Sequence, residues 1–159
     1  MENEKFVLIT GAAGGIGNAT VTKFAYSGWK VIGVDRREFL GNFPANGLFI
    51  MADISKPEDI STIYQKTSAF SSYLNAVVNN AGIQVSKPLL ETTIEEWDMV
   101  MASNLRSAFV GAKFAYPLLV KAGGGAIVNV SSVHAIATSI NVAAYAASKG
   151  GLLALTRAM

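Results

Sequence analysis

Tyr145 and Lys149 stand four residues apart, a spacing that on a helix puts both side chains on one face. A free phenol titrates near about 10, but an ammonium held beside it favours the phenolate and makes a tyrosine a usable acid and base near neutral pH. Alone, such a pair is ordinary surface decoration. Two polar residues give it company: Ser132, 13 residues before Tyr145 and just past an apolar run, and Asn104, inside a long helical segment. A serine hydroxyl can hydrogen-bond an oxygen on which charge develops, much as an oxyanion donor does. Asn104 by itself reads equally as a polar residue tolerated mid-helix. Ser131, the neighbour of Ser132, is an equally placed hydroxyl. An imidazole is the usual general base, but nothing in the sequence orients His134, which is read as a pocket-wall residue.

A second group of residues suits an anion. Thr10-Gly11-Ala12-Ala13-Gly14-Gly15-Ile16-Gly17 follows the first apolar run and opens a helix, so glycines permit a tight turn and let backbone N–H groups approach a diphosphate. Asp35 ends the second apolar run, 18 residues after Gly17, where a carboxylate can bind ribose hydroxyls and repel a 2′-phosphate. Arg36 and Arg37 follow, and either can instead attract that phosphate. Asp53, with Ile54 beside it, reads on its own as a turn residue or helix cap. Asn79, Asn80, Ala81 and Gly82 close the fourth run, where asparagines can both stabilise a sheet and line a crevice at its edge.

The elements that must position these residues alternate in type. Short β-branched runs at Lys5 to Thr10, Lys30 to Asp35, Leu48 to Met51, Leu74 to Asn79 and Ala126 to Ser131 predict five strands. Between them lie helical segments at about Gly15 to Ser27, Pro57 to Phe70, Ile94 to Lys121 and Ala143 onward. Ser55 before Pro57 and Thr93 before Glu95 and Glu96 look like helix starts, and Gly123 to Gly125 stop the longest helix. This alternation predicts an α/β fold, a doubly wound parallel sheet of Rossmann type, in one domain over residues 1–159.

Composition narrows the partners. The chain is 51% hydrophobic and 15% charged, which fits strands buried on both faces. Its net charge of +2 comes from scattered Lys and Arg with no basic run, so nucleic acid is a poor partner. With no Cys and one His, disulfides, thiol catalysis and Cys/His metal sites fall away. MENEKF carries two acids ahead of a short apolar stretch, unlike a secretory leader, and no run approaches the roughly 20 apolar residues of a membrane span. No membrane association and a cytoplasmic location are the resulting expectations.

In chain order the glycine turn, Asp53, the NNAG run, the Ser132 region and Tyr145 with Lys149 resemble the classical short-chain dehydrogenase/reductase family, over essentially all 159 residues. The resemblance implies an oxidoreductase that moves a hydride between a nicotinamide cofactor and a carbonyl or secondary alcohol. It implies a catalytic tetrad of Asn104, Ser132, Tyr145 and Lys149, the family spacing to Tyr145 favouring Ser132 over Ser131. In it Tyr145 transfers the proton and Ser132 holds the substrate oxygen, while Lys149 favours the ionised phenol and binds the nicotinamide ribose; Asn104 holds a proton-relaying water. Cofactor contacts carried over are Gly11, Gly15, Ile16, Gly17, Asp35, Arg36, Asp53, Ile54, Asn80, Ala81, Gly82, Tyr145 and Lys149. NAD is favoured because Asp35 sits at the strand end, with NADP kept open by the arginines. The substrate is a small molecule; alcohols, sugars, steroids and acyl thioesters all stay open.

The last helix carries an apolar period to Met159 with no stop signal, whereas family members continue with two further strands and a segment that closes over substrate. Truncation at the C-terminus is therefore expected, leaving Ala126 to Ser131 as an open apolar edge. Self-association follows, as a dimer or tetramer, because the Ile94 to Lys121 helix and the last helix resemble the family's dimer surface. A dispersed monomer in light scattering contradicts it. The alternative to an enzyme is a dinucleotide-binding module or structural subunit without turnover, and a third reading is an incompletely folded remnant.

Overall fold

Unbroken apolar runs without in-out alternation need cover on both faces, and the central strands have it. The computed structural model describes residues 4–159. Phe6–Thr10 (β1) and Ala76–Asn79 (β4) are buried at every position. With Lys30–Asp35 (β2), Leu48–Met51 (β3) and Ala126–Asn129 (β5) they form one parallel sheet in the order β3-β2-β1-β4-β5. The helices are Gly15–Tyr26 (α1), Pro57–Phe70 (α2), Ile94–Met101 (α3), Ser107–Lys121 (α4) and Ala143–Ala158 (α5).

Alternate residues of β1 feed two cores. Phe6 and Leu8 pack with Ile63 and Tyr64 of α2 and Leu118 and Leu119 of α4. Val7 and Ile9 face the other way, against Val21 of α1. Each fully buried aliphatic side chain of this kind contributes about 1.5–3 kcal/mol. The strand order reverses direction between β1 and β4, so a crevice opens at their carboxyl ends.

The structure corrects several predicted boundaries. β1 begins at Phe6, and β4 begins at Ala76, with the Leu74 N–H before it donating to the Leu118 carbonyl of α4 instead of to a strand. β5 ends at Asn129, although the Val130 N–H still reaches the Asn79 carbonyl. α1 ends at Tyr26, and Gly28, at φ +79°, turns the chain away. Ser55 does not cap α2: its N–H donates to Asp53 Oδ1, and Lys56 is the N-cap with Pro57 behind it. The predicted Ile94 to Lys121 helix is interrupted by a π-helical turn at Ala102–Arg106.

Other signals hold. Thr93 and Glu96 form a reciprocal capping box, and Gly123 and Gly124, at φ +83° and +121°, close α4. β5 is an edge strand, with Val128 half exposed. The leader reading rests partly on residues 1–3, outside the described residues. Among the described residues no helix is long and apolar enough to cross a membrane.

Candidate functional site

The glycine turn is tight for steric reasons that no other residue meets. Gly11 has φ +69°, and a Cβ there would lie 2.8 Å from the Ala81 Cα. A Cβ on Gly17 would fall 1.9 Å from the Gly11 carbonyl oxygen, so the start of α1 packs directly on the turn. Over Gly15 there is nothing within 4 Å. Gly14 is the N-cap, makes no side-chain cap and is followed by no acid in the first turn of α1. The first N–H groups of the helix and their partial positive charge are thereby left to an anion.

A cavity of about 700 Å³ lies over this turn, within the range of small-molecule and cofactor sites. The structure brings together on its wall every residue carried over as a cofactor contact except Tyr145 and Lys149: the glycine turn with Ile16, then Asp35 and Arg36, Asp53 and Ile54, and Asn80 to Gly82. An anion-seeking helix end at the centre, carboxylates at one end and a lysine at the other suit a dinucleotide.

The two asparagines separate in role. Asn79 crosses the sheet, its Nδ2 donating to Asn129 Oδ1 at 2.8 Å. Asn80 Nδ2 donates to the carbonyls of Thr10 and Gly11, and Thr10 Oγ1 accepts the N–H groups of Asn80 and Ala81, locking the cleft floor to the turn. Sequence reading allowed both roles without dividing them.

The arginines also separate. The Asp35 carboxylate accepts the N–H groups of Ala13 and Arg37, each at 3.0 Å, and Arg37 Nε lies 3.6 Å from it. Each oxygen keeps acceptor capacity for a ligand hydroxyl. Partial burial would raise the pKa of Asp53, but hydrogen bonds from Ser55 and the charges of Arg36 and Lys56 outweigh it and hold the carboxyl below its ordinary value. Arg36 thus serves the Asp53 side and Arg37 the Asp35 side.

At the inner end of the cleft a Cβ on Gly82 would sit 3.3 Å from Lys149 Nζ and 3.4 Å from Asn104 Oδ1. Lys149 is buried, donates from Nζ to the Val130 carbonyl at 2.7 Å, and has its pKa lowered by burial. Its Nζ lies 5.8 Å from the Tyr145 ring centroid, within cation–π reach. Asn104 stands in the π-helical turn and its Oδ1 accepts the Ile83 N–H. Both Nδ2 protons are spent, on the Ile83 carbonyl and on Ser148 Oγ. One lone pair of Oδ1 is left.

Ser132 Oγ accepts the His134 N–H at 3.2 Å at the start of the short turn Val133–Ala135. The His134 ring stands edge-on to Tyr145 at 5.8 Å with Nδ1 3.2 Å from Thr138 Oγ1, so the fold orients an imidazole that the sequence left unoriented. Ser131 points elsewhere and donates to the Lys149 carbonyl. Ser148 was missed: fully buried, it joins Asn104 Nδ2 to the Tyr145 carbonyl. Met99 and Ser103, also missed, line the cleft because α3 and the π-helical turn pack over it, which no local spacing reveals.

Residues 5–159 match a family model described as short chain dehydrogenase. The chain is 36% identical to a cyclopentanol dehydrogenase of a Comamonas species, over 98% of this chain and 66% of that protein. A short-chain dehydrogenase from Streptomyces avermitilis superposes with a TM-score of 0.93 at 28% identity, covering 99% of this chain and 60% of its own. A 4-hydroxyisoleucine dehydrogenase complexed with NADH does so with a TM-score of 0.90 at 27% identity, covering 98% and 68%. The chain spans 61–66% of the length of curated relatives such as these.

Proposed function

This chain belongs to the short-chain dehydrogenase family, and from that premise we propose that it is the cofactor-binding and proton-transferring part of an oxidoreductase interconverting a carbonyl compound and a secondary alcohol. The observation that carries the reading is the meeting of Lys149 Nζ, Asn104 Oδ1 and Gly82 at the inner end of a glycine-floored cleft, with Tyr145 beside the ammonium. A nicotinamide bound there supplies or accepts the hydride. Gly11, Gly15, Ile16 and Gly17 receive its diphosphate on the first turn of α1, and Asp35 takes the adenosine ribose. Asp53 and Ile54 flank the adenine, and Asn80, Ala81 and Gly82 form the floor.

In this proposal the Tyr145 hydroxyl gives its proton to the substrate oxygen during reduction and takes it back during oxidation. Ser132 Oγ, which accepts from His134 and keeps its own proton, donates to the same oxygen. Lys149 holds positive charge beside the phenol and hydrogen-bonds a ribose hydroxyl. Asn104 is chiefly a positioning residue, because its carboxamide ties Ile83 to Ser148; the spare lone pair of Oδ1 is the place for a relaying water. NADH fluorescence titration beside steady-state oxidation of a panel of secondary alcohols tests the proposal. Saturable binding with turnover is expected, and binding without turnover favours the non-catalytic module.

NAD is the proposed cofactor, since the anchored Asp35 carboxylate repels a 2′-phosphate while Arg37 only partly offsets it. Asp35→Asn keeps an acceptor and removes the charge, so the ratio of NADPH to NADH affinity rises about tenfold, equivalent to roughly 1.4 kcal/mol. An unchanged ratio in paired titrations rejects Asp35 as the discriminator. Homo-oligomerisation is proposed on the exposed Phe109, Tyr116 and Val120 of α4, and the cytoplasm remains the proposed location.

A further inference from the structure

A glycine in the middle of a helix needs a reason, because it is the poorest helix former after proline. Gly111 sits in the interior of α4 and is buried. Neither its backbone nor crowding demands glycine: its φ is not positive, and a Cβ there would lie 3.5 Å from Tyr64 Oη and 3.9 Å from Asn79 Oδ1, ordinary contact distances. Both neighbours are polar atoms, and both lack a hydrogen-bond partner among the described residues. Asn79 spends its Nδ2 on Asn129, leaving Oδ1 free. Tyr64 is 6% exposed, and burial raises the pKa of its phenol, which keeps a proton to donate.

Tyr64, Asn79 and Gly111 border a small cavity of about 20 Å³ that is also lined by Thr10 and Ser107. That is room for a single water, and a buried water needs two to four polar partners. Ser107 Oγ gives its proton to the Ser103 carbonyl and keeps lone pairs, whereas Thr10 Oγ1 accepts two N–H groups and keeps its proton. Four polar side chains therefore offer two protons and two acceptors around one small space.

We infer that this cavity is a binding site for one internal water, which accepts from Tyr64 Oη and donates to Asn79 Oδ1, and that residue 111 is glycine because a methyl group would displace it. The water joins α2 and α4 to the end of β4, directly beneath the Asn80 to Gly82 floor of the cleft. It supports the site from outside and belongs to no step of the proposed reaction.

Thermal melts of Gly111→Ala and Tyr64→Phe test this through the sign of the change. With a bound water, Gly111→Ala takes the bridging partner from Tyr64 Oη and Asn79 Oδ1 and lowers Tm by about 3–8 °C, and Tyr64→Phe also lowers it. With a dry cavity, alanine fills space and improves the helix, raising Tm by about 2–4 °C, and removal of an unpaired hydroxyl is neutral or stabilising. A fall in both variants supports the site; a rise or no change in either overturns it. A high-resolution crystal structure must also show an ordered water within hydrogen-bond distance of both atoms, and its lack overturns the inference equally.

Discussion

Tyr145→Phe lowers kcat by about 10²–10⁴-fold, the usual contribution of a positioned proton donor, while NADH affinity stays within about threefold. The substitution removes one hydroxyl and little else. The ring that meets His134 edge-on at 5.8 Å and lies 5.8 Å from Lys149 Nζ is retained, as is the backbone carbonyl that accepts from Ser148 Oγ. A matching thermal melt then assigns the loss to chemistry and not to folding. His134 is the rival, because it is the one imidazole in the chain and the fold aims it at Tyr145. If His134 carries the proton, His134→Phe produces the large loss and Tyr145→Phe retains more than a tenth of the native kcat. Steady-state assays of both variants on one secondary alcohol decide between them.

How much of this was legible before coordinates depends on whether a residue's partner is near in sequence. The glycine turn was legible because turn, strand end and helix start are contiguous, and their backbone geometry admits few residue types. Asp35 and the NNAG run were legible because a parallel sheet places every strand's carboxyl end on one side. β4 was read two residues too long, since Leu74 has a strand-like side chain and its backbone donates to α4, a contact that spans 44 positions. The π-helical turn at Ala102–Arg106 was invisible because its residues have ordinary helical character, and the partners that Asn104 meets within it, Ile83 and Ser148, lie 21 and 44 positions away. The partition of Arg36 and Arg37 between two carboxylates likewise needed the third dimension. Ser131 and Ser132, adjacent in sequence, have different partners in the fold: Ser131 Oγ donates to the Lys149 carbonyl, whereas Ser132 Oγ accepts from His134 and keeps its proton.

Lys149→Met moves activity and stability in different directions, and the difference is readable in pH. Methionine keeps the unbranched stem among its buried neighbours and deletes the ammonium. The proposed loss of charge beside the phenol and of a ribose contact lowers kcat by about 10²–10³-fold and weakens NADH binding about tenfold or more, as for one charged hydrogen bond. For the fold the ammonium is a liability that the Val130 carbonyl only partly offsets, because burial lowers its pKa below the ordinary lysine value. In the interval between the lowered folded value and the ordinary unfolded one, the unfolded chain binds more protons than the folded chain. Stability attributable to Lys149 therefore rises with pH across that interval, and below it the full cost of the buried charge applies. Methionine has no such dependence, so the Tm of the native chain minus that of Lys149→Met, measured without cofactor, increases as pH climbs from neutrality towards the ordinary lysine range. A difference that stays flat or declines means the ammonium is not buried in the free protein. A rising difference together with lost turnover marks a residue that costs the fold stability and is retained for what its charge does in the cleft.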